Sequence, residues 1–170
     1  MDNSGPRTIE VGFASHTDVG DIVATLLEGA AWMAAKHSPA WQVSDLTPAM
    51  ATAFVSRSEF IAARAGGDLV GVCTLTRVDP DFWPEDPPGF AAYIHKLAVR
   101  RAFAGGQVTR SLVEHCLTLA RAWGCKALRL DCHPVLNPVY RRLEFNYVDT
   151  RNVALADGRT LLVDRFEIRL

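Results

Sequence analysis

Two adjacent glycines at the mouth of an amphipathic helix constrain this chain most. From Tyr93 to Tyr147 it reads YIHKLAVRRAFAGGQVTRSLVEHCLTLARAWGCKALRLDCHPVLNPVYRRLEFNY. A strand runs into Arg100 and Arg101, Gly105 and Gly106 open a helix, and a second strand follows. Between Gly106 and Trp123 the apolar Val108, Leu112, Cys116, Leu119 and Trp123 recur at helical spacing, while Arg110, Glu114, His115, Thr118 and Arg121 face away. Gly124 is placed to end the helix in a left-handed cap, and Ala127 to Cys132 reads as the second strand. A strand, a helix and a strand in that order require a right-handed crossover and a parallel pair. Glycines at such a helix start also leave backbone N–H groups open to an anion, so a site for a phosphorylated cofactor is expected there.

The flanking segments supply antiparallel partners. Thr8 to Ala14 alternates as a strand, and Ser15 or Thr17 can cap a helix from Asp18 to about Lys36, which His37-Ser38-Pro39 breaks. Thr47-Pro48 is an N-cap followed by proline at the first helical position, opening a short helix that ends near Ser56. Phe60 to Arg64 and Leu69 to Val78 form a hairpin around Gly66-Gly67, and Phe145 to Leu155 and Leu161 to Leu170 form another around Asp157-Gly158. Asp79 to Gly89, rich in proline and acids, must be a loop. Its Phe82 and Trp83 have two readings, as plugs for the sheet edge or as walls of a substrate pocket.

At 170 residues the chain suits a single domain, 1–170, with one full core. A formal charge of −1 provides no field to gather nucleic acid or an anionic membrane surface. The opening MDNSGPRTIE lacks a basic and then apolar leader, and no apolar run is long enough to span a bilayer, so a cytoplasmic protein is expected. Cys73, Cys116, Cys125 and Cys132 lack metal-ligand spacing and read as reduced, buried thiols, with no metal expected.

An α/β fold with a mixed sheet, helices on both faces, a parallel pair around a glycine-opened helix and a closing hairpin resembles the GNAT superfamily of acyl-CoA-dependent N-acyltransferases, over nearly the whole chain. The words that carry the resemblance are Leu97-Ala98-Val99 before Arg100-Arg101, the loop-to-helix start, Asn137, and Tyr140-Arg141-Arg142-Leu143-Glu144-Phe145, similar to the family's Y-x-x-L-G-F. The chain departs from the family at Ala104, which replaces a cation, at Gln107 and Thr109, which replace small residues, and at Glu144, which replaces glycine. The segment from Asn137 to Tyr140 is also shorter than usual, by about one helical turn.

The resemblance implies acetyl-CoA as co-substrate and an amine as acceptor. Amides near Leu97, Ala98 and Val99 would pair with the pantetheine, and Asn137 would bond its amides. Backbone N–H groups of Gly105, Gly106, Gln107, Val108 and Thr109, aided by the helix dipole, can hold the pyrophosphate, with Arg100, Arg101 or Arg110 adding charge. An ammonium of pKa about 10 must lose a proton before it attacks, and His95 titrates in a range suited to take it. Strand alternation would put Tyr93, His95, Leu97 and Val99 on one face. Tyr140 falls on the family's tyrosine and can protonate the departing thiolate while staying neutral beforehand. Asp131 and His133, at the end of the second parallel strand, can assist the relay. Trp32, Trp41, Trp83 and Tyr93 are expected in the acceptor pocket. Two rival readings stay open: a non-catalytic domain sensing acyl-CoA or another metabolite, and an interaction module using the C-terminal hairpin as a homodimer edge.

Overall fold

A computed structural model of the chain describes residues 8–36 and 41–170; the expected helix break at His37-Ser38-Pro39 lies outside them. One seven-stranded sheet runs through the described residues: β1 (Ile9–Phe13), β2 (Phe60–Ala65), β3 (Asp68–Thr76), β4 (Ala91–Val99), β5 (Ala127–Cys132), β6 (Asn146–Ala154) and β7 (Thr160–Arg169). Their order is β1-β2-β3-β4-β5-β7-β6. β4 and β5 are parallel, and the other neighbours are antiparallel. The closing hairpin therefore inserts its second strand beside β5 and leaves β6 at the edge.

Four helices cover the faces: α1 (Val19–Ala35), α2 (Pro48–Ser56), α3 (Gln107–Ala122) and α4 (Asn137–Arg142). The period of two in the strands sorts the core. Ile61 and Cys73 pack with Leu112 and Cys116 of α3, whereas Phe60, Ala62 and Val72 pack with Ile22 and Leu26 of α1 and Ala51 of α2. Phe60, Ile61, Val72, Ile22, Leu26 and Leu112, each at 0% exposure, contribute about 1.5–3 kcal/mol apiece relative to leaving them in water. Thr47 caps α2, its hydroxyl accepting from the Met50 N–H at 3.1 Å, with Pro48 in the first turn as the sequence predicts. Gly71 permits the close approach of β3 to α3, since a Cβ there would lie 2.7 Å from Val108 Cγ1.

The strand alternation expected for β4 is overturned at one point. Val72 pairs with Ala98 and Thr74 with His95, so the single residue Cys73 faces two, Lys96 and Leu97. Lys96 takes φ +50°, the left-handed region that a bulge uses to absorb an extra residue. Tyr93 and His95 consequently do not share a face with Leu97 and Val99. Leu97 and Val99 join Ile94 on the α3 side, while Ala98 turns to the α1 side.

Candidate active site

β4 and β5 pair from Ala91 with Ala127 to Ile94 with Leu130, and no further. Beyond that point the strands part, and a cleft of about 1260 Å³ opens between them, lined by residues from α1, β4, the start of α3, β5, α4 and β7. His95 and Asp131 are the first residues past the last paired rung, at the floor of the split.

His95 is held by a hydrogen bond on one side and faces an acid on the other. Its Nε2 lies 2.9 Å from Asp79 Oδ2, and because a carboxylate only accepts, Nε2 carries the hydrogen. The other Asp79 oxygen accepts the Phe82 N–H at 3.1 Å, so the loop's own turn orients the carboxylate. Nδ1 faces Asp131 Oδ1 at 3.6 Å, too far for a hydrogen bond. That oxygen is buried and has no hydrogen-bond partner among the described residues. Burial opposes the imidazolium, but the Asp79 hydrogen bond and the Asp131 charge outweigh it and raise the His95 pKa above its ordinary value. Burial also pushes Asp131 up to about 6, against the pull of His95. Asp79, His95 and Asp131 place one ligand atom each within 4.8 Å of one another, which makes them, among the described residues, the group that could take a cation.

Across the split, Tyr140 is buried at the cleft wall, edge-on to Phe145 and tilted against Phe166. Burial, then the neighbouring Cys132 and Asp131, push its pKa up, so the phenol stays protonated. Burial likewise lifts the Cys132 thiol to about 12, which leaves a neutral thiol and no nucleophile.

At the far end of the cleft Gly105 and Gly106 have φ +128° and +127°. A Cβ on either would meet nothing within 4 Å, so backbone conformation and not crowding requires glycine. The first helical hydrogen bond of α3 runs from the Arg110 N–H to the Gly106 carbonyl at 2.9 Å, which leaves the amides of Gln107, Val108 and Thr109 outside the ladder. Ala104 contributes no charge, but Arg101, Arg110 and Arg142 all line this end. Arg101 also stacks on Trp32, its guanidinium 4.6 Å from the ring centroid.

Of the residues singled out in the sequence, Trp32, Trp41, His95, Leu97, Ala98, Val99, Gly105, Gly106, Gln107, Thr109, Arg110, Asp131, His133 and Tyr140 line this one cleft. Val108 is not part of the lining, its side chain being in the core beneath α3. Asn137 lies outside, donating to Asp164 and accepting weakly from the Cys132 thiol at 3.6 Å, so its amide serves to join α4 to β7. Trp83 and Tyr93 are also outside the cleft lining, 2% and 1% exposed. Trp83 lies between the guanidiniums of Arg129 and Arg165, 4.2 and 4.1 Å from its ring, and the Tyr93 hydroxyl donates to Asp86. The two loop aromatics thus divide the two readings: Trp83 plugs the sheet, and Phe82 stands in the cleft 5.8 Å from the His95 ring. His115, expected on the surface, has a buried Nε2 without a partner among the described residues, and burial lowers its pKa.

Sequence reasoning missed Lys96 and Arg142 as cleft residues, the Asp79 support of His95, and the wall from Thr160 to Val163. The basic run Arg141-Arg142 and the acid in a loop before a strand histidine were available signals; the β7 wall had none.

The family model described as the acetyltransferase (GNAT) family matches residues 27–145. A curated Escherichia coli protein, described as an uncharacterized protein in the sul1 3' region, is 39% identical over 80 residues, which are 47% of this chain and 100% of that one. Among solved structures, a GNAT-family acetyltransferase from Listeria monocytogenes is similar with a TM-score of 0.71 and 22% identity, covering 99% of both chains. The PaiA N-acetyltransferase of Thermoplasma acidophilum, in complex with coenzyme A, has a TM-score of 0.74 at 17% identity, over 96% of this chain and 99% of its own. At these identities the structural likeness establishes the fold.

Proposed function

The chain belongs to the acetyltransferase (GNAT) family, and from that premise we propose that it transfers an acetyl group from acetyl-CoA directly to an amine within a ternary complex. The observation that carries the reading is the pair of proton-handling groups on opposite walls of one split: His95 backed by Asp79 on one wall, and the neutral phenol of Tyr140 on the other.

Coenzyme A would lie along the split, its pyrophosphate at the amides of Gln107 to Thr109 with Arg101, Arg110 and Arg142 nearby, and its pantetheine beside the unpaired edge of Leu97 to Val99. The acceptor enters as an ammonium. Two acceptors 3.6 Å apart, His95 Nδ1 and Asp131 Oδ1, can each take one of its N–H groups at about 2.9 Å. One proton passes to Nδ1, and the imidazolium is stabilised by Asp79. The freed amine attacks the thioester carbonyl, the C–N bond forms, the C–S bond breaks, and the leaving sulfur takes the Tyr140 hydroxyl proton. The second amine proton, lost as the amide forms, returns to the Tyr140 phenolate, and His95 passes its proton to solvent; of the two protons lost by the ammonium, one in effect ends on coenzyme A and one in solvent.

Arg101, Arg110 and Arg142 can supply the charge that Ala104 lacks, which favours a retained coenzyme A site over an interaction module that has lost it. The test is release of free thiol from acetyl-CoA against a broad amine panel, beside calorimetric titration with acetyl-CoA. Thiol release dependent on an amine supports transfer. Binding without release from any amine overturns it in favour of a sensor, and no binding favours the interaction module.

A further inference from the structure

The acceptor side of the cleft carries a charge that the chemistry above leaves unused. Lys96, the bulge residue of β4, lines the cleft beside His95. Its ammonium lies 5.5 Å from the centroid of the Phe54 ring on α2, and among the described residues no carboxylate comes within ion-pair distance of it. The bulge is what turns this side chain toward the α1 and α2 side of the sheet, and it holds Lys96 in a left-handed conformation that favours glycine.

Three of the four acids of the 79–89 loop, which together would recommend a polycation as acceptor, are already engaged, and the fourth, Asp81, is exposed. Glu85 pairs with Arg165 at 2.7 Å, Asp86 with Arg129 and the Tyr93 hydroxyl, and Asp79 with His95. Asp131 is left to meet the acceptor's amine, and Lys96 is left for something of opposite sign.

We infer that the acceptor is an amine bearing a carboxylate, an amino acid or a close analogue, with its ammonium on His95 and Asp131 and its carboxylate on Lys96. This rests on the transfer reading given above. Trp41 and Phe82, in the same cleft, would border the remainder of the molecule and suit an apolar side group. Burial pulls the Lys96 pKa below its ordinary value, while Asp45 and Asp131 counter from a distance. An arriving carboxylate would restore the favourable surroundings that an ammonium loses on leaving water.

The experiment compares matched acceptors that differ only at the carboxylate, such as phenylalanine, its amide and phenethylamine, and leucine with its amide. Each is titrated into protein saturated with coenzyme A, and each is also assayed for thiol release from acetyl-CoA. The free acids should bind at least about tenfold more tightly than the amides. Lys96→Met should collapse that ratio toward one, and Lys96→Glu should invert it, with circular dichroism confirming a folded β4. Equal binding of acid and amide, or a ratio that survives both substitutions, overturns the proposal. Discrimination in binding without thiol release would keep Lys96 as the carboxylate site and sink the transfer reading alone.

Discussion

Nδ1 of His95 and Oδ1 of Asp131 stand 3.6 Å apart, one residue past the last rung where β4 and β5 still pair. They are too far apart to bond each other and close enough for one nitrogen to touch both. Among the described residues neither atom has another contact that would explain leaving a buried carboxylate oxygen without a partner.

The first prediction concerns pH. His95 must be neutral to accept a proton, and Asp79 stabilises its charged form, raising its pKa. The rate at limiting acceptor should therefore climb with pH through a limb above the usual imidazole range. Asp79→Asn should move that limb to lower pH and reduce the plateau by about tenfold to a hundredfold, because the imidazolium loses its support. A pH profile of kcat/KM checks this; an unmoved limb would dissociate His95 from proton transfer.

Asp131 should trade stability for chemistry. Its folded pKa of about 6 exceeds the ordinary 3.8, so the native state holds the proton more tightly than the unfolded chain. Stability is then fully present below the unfolded value and is lost as pH rises through about 6, by up to about 3 kcal/mol. Asp131→Asn removes that loss. The variant should melt higher than the parent at pH 8, show a smaller difference at pH 4, and acetylate more slowly.

Tyr140→Phe keeps the ring against Phe145 and Phe166 and deletes only the acid. Thiol release should fall by about a hundredfold or more while the affinity for acetyl-CoA changes little. Equal rates would remove the phenol from the mechanism.

Gly106→Ala tests the helix mouth. Space exists for the methyl group, but φ +127° is foreign to alanine. Forcing the turn to relax should swing the amides of Gln107 to Thr109 away and weaken acetyl-CoA by about tenfold in calorimetric titration, with the melting temperature lowered by a few degrees.

Trp83→Ala would leave Arg129 and Arg165 without the ring between them. A loss of about 3–5 kcal/mol in denaturant unfolding is expected, since a fully buried aromatic is removed.

Much of the fold was legible because periodicity is local. α3 was readable from Val108, Leu112 and Cys116, and the Thr47-Pro48 start of α2 from the chemistry of one cap. The face of each β4 residue was not legible, because the bulge at Lys96 answers to the pairing with Cys73, a strand away, and leaves no mark in its own alternation. The same holds at the site. His95 and Tyr140 could be suspected from type and position, whereas the contact of Asp79 with His95 depends on how a proline-rich loop folds back. Trp83 illustrates the limit: its neighbours in sequence suggest a pocket, but Arg129 and Arg165, from two other strands, decide its place.

The bulge also carries a consequence for descent. Facing in a strand is a parity, and one supernumerary residue inverts it for everything downstream. A related chain that lost a single residue between His95 and Ala98 would keep its hydrogen-bonded ladder and most of its composition, yet present the opposite set of side chains to each side of the sheet. Substrate preference in such a lineage could change by deletion as readily as by substitution, and a comparison that overlays the strands without a gap would transfer roles to the wrong residues.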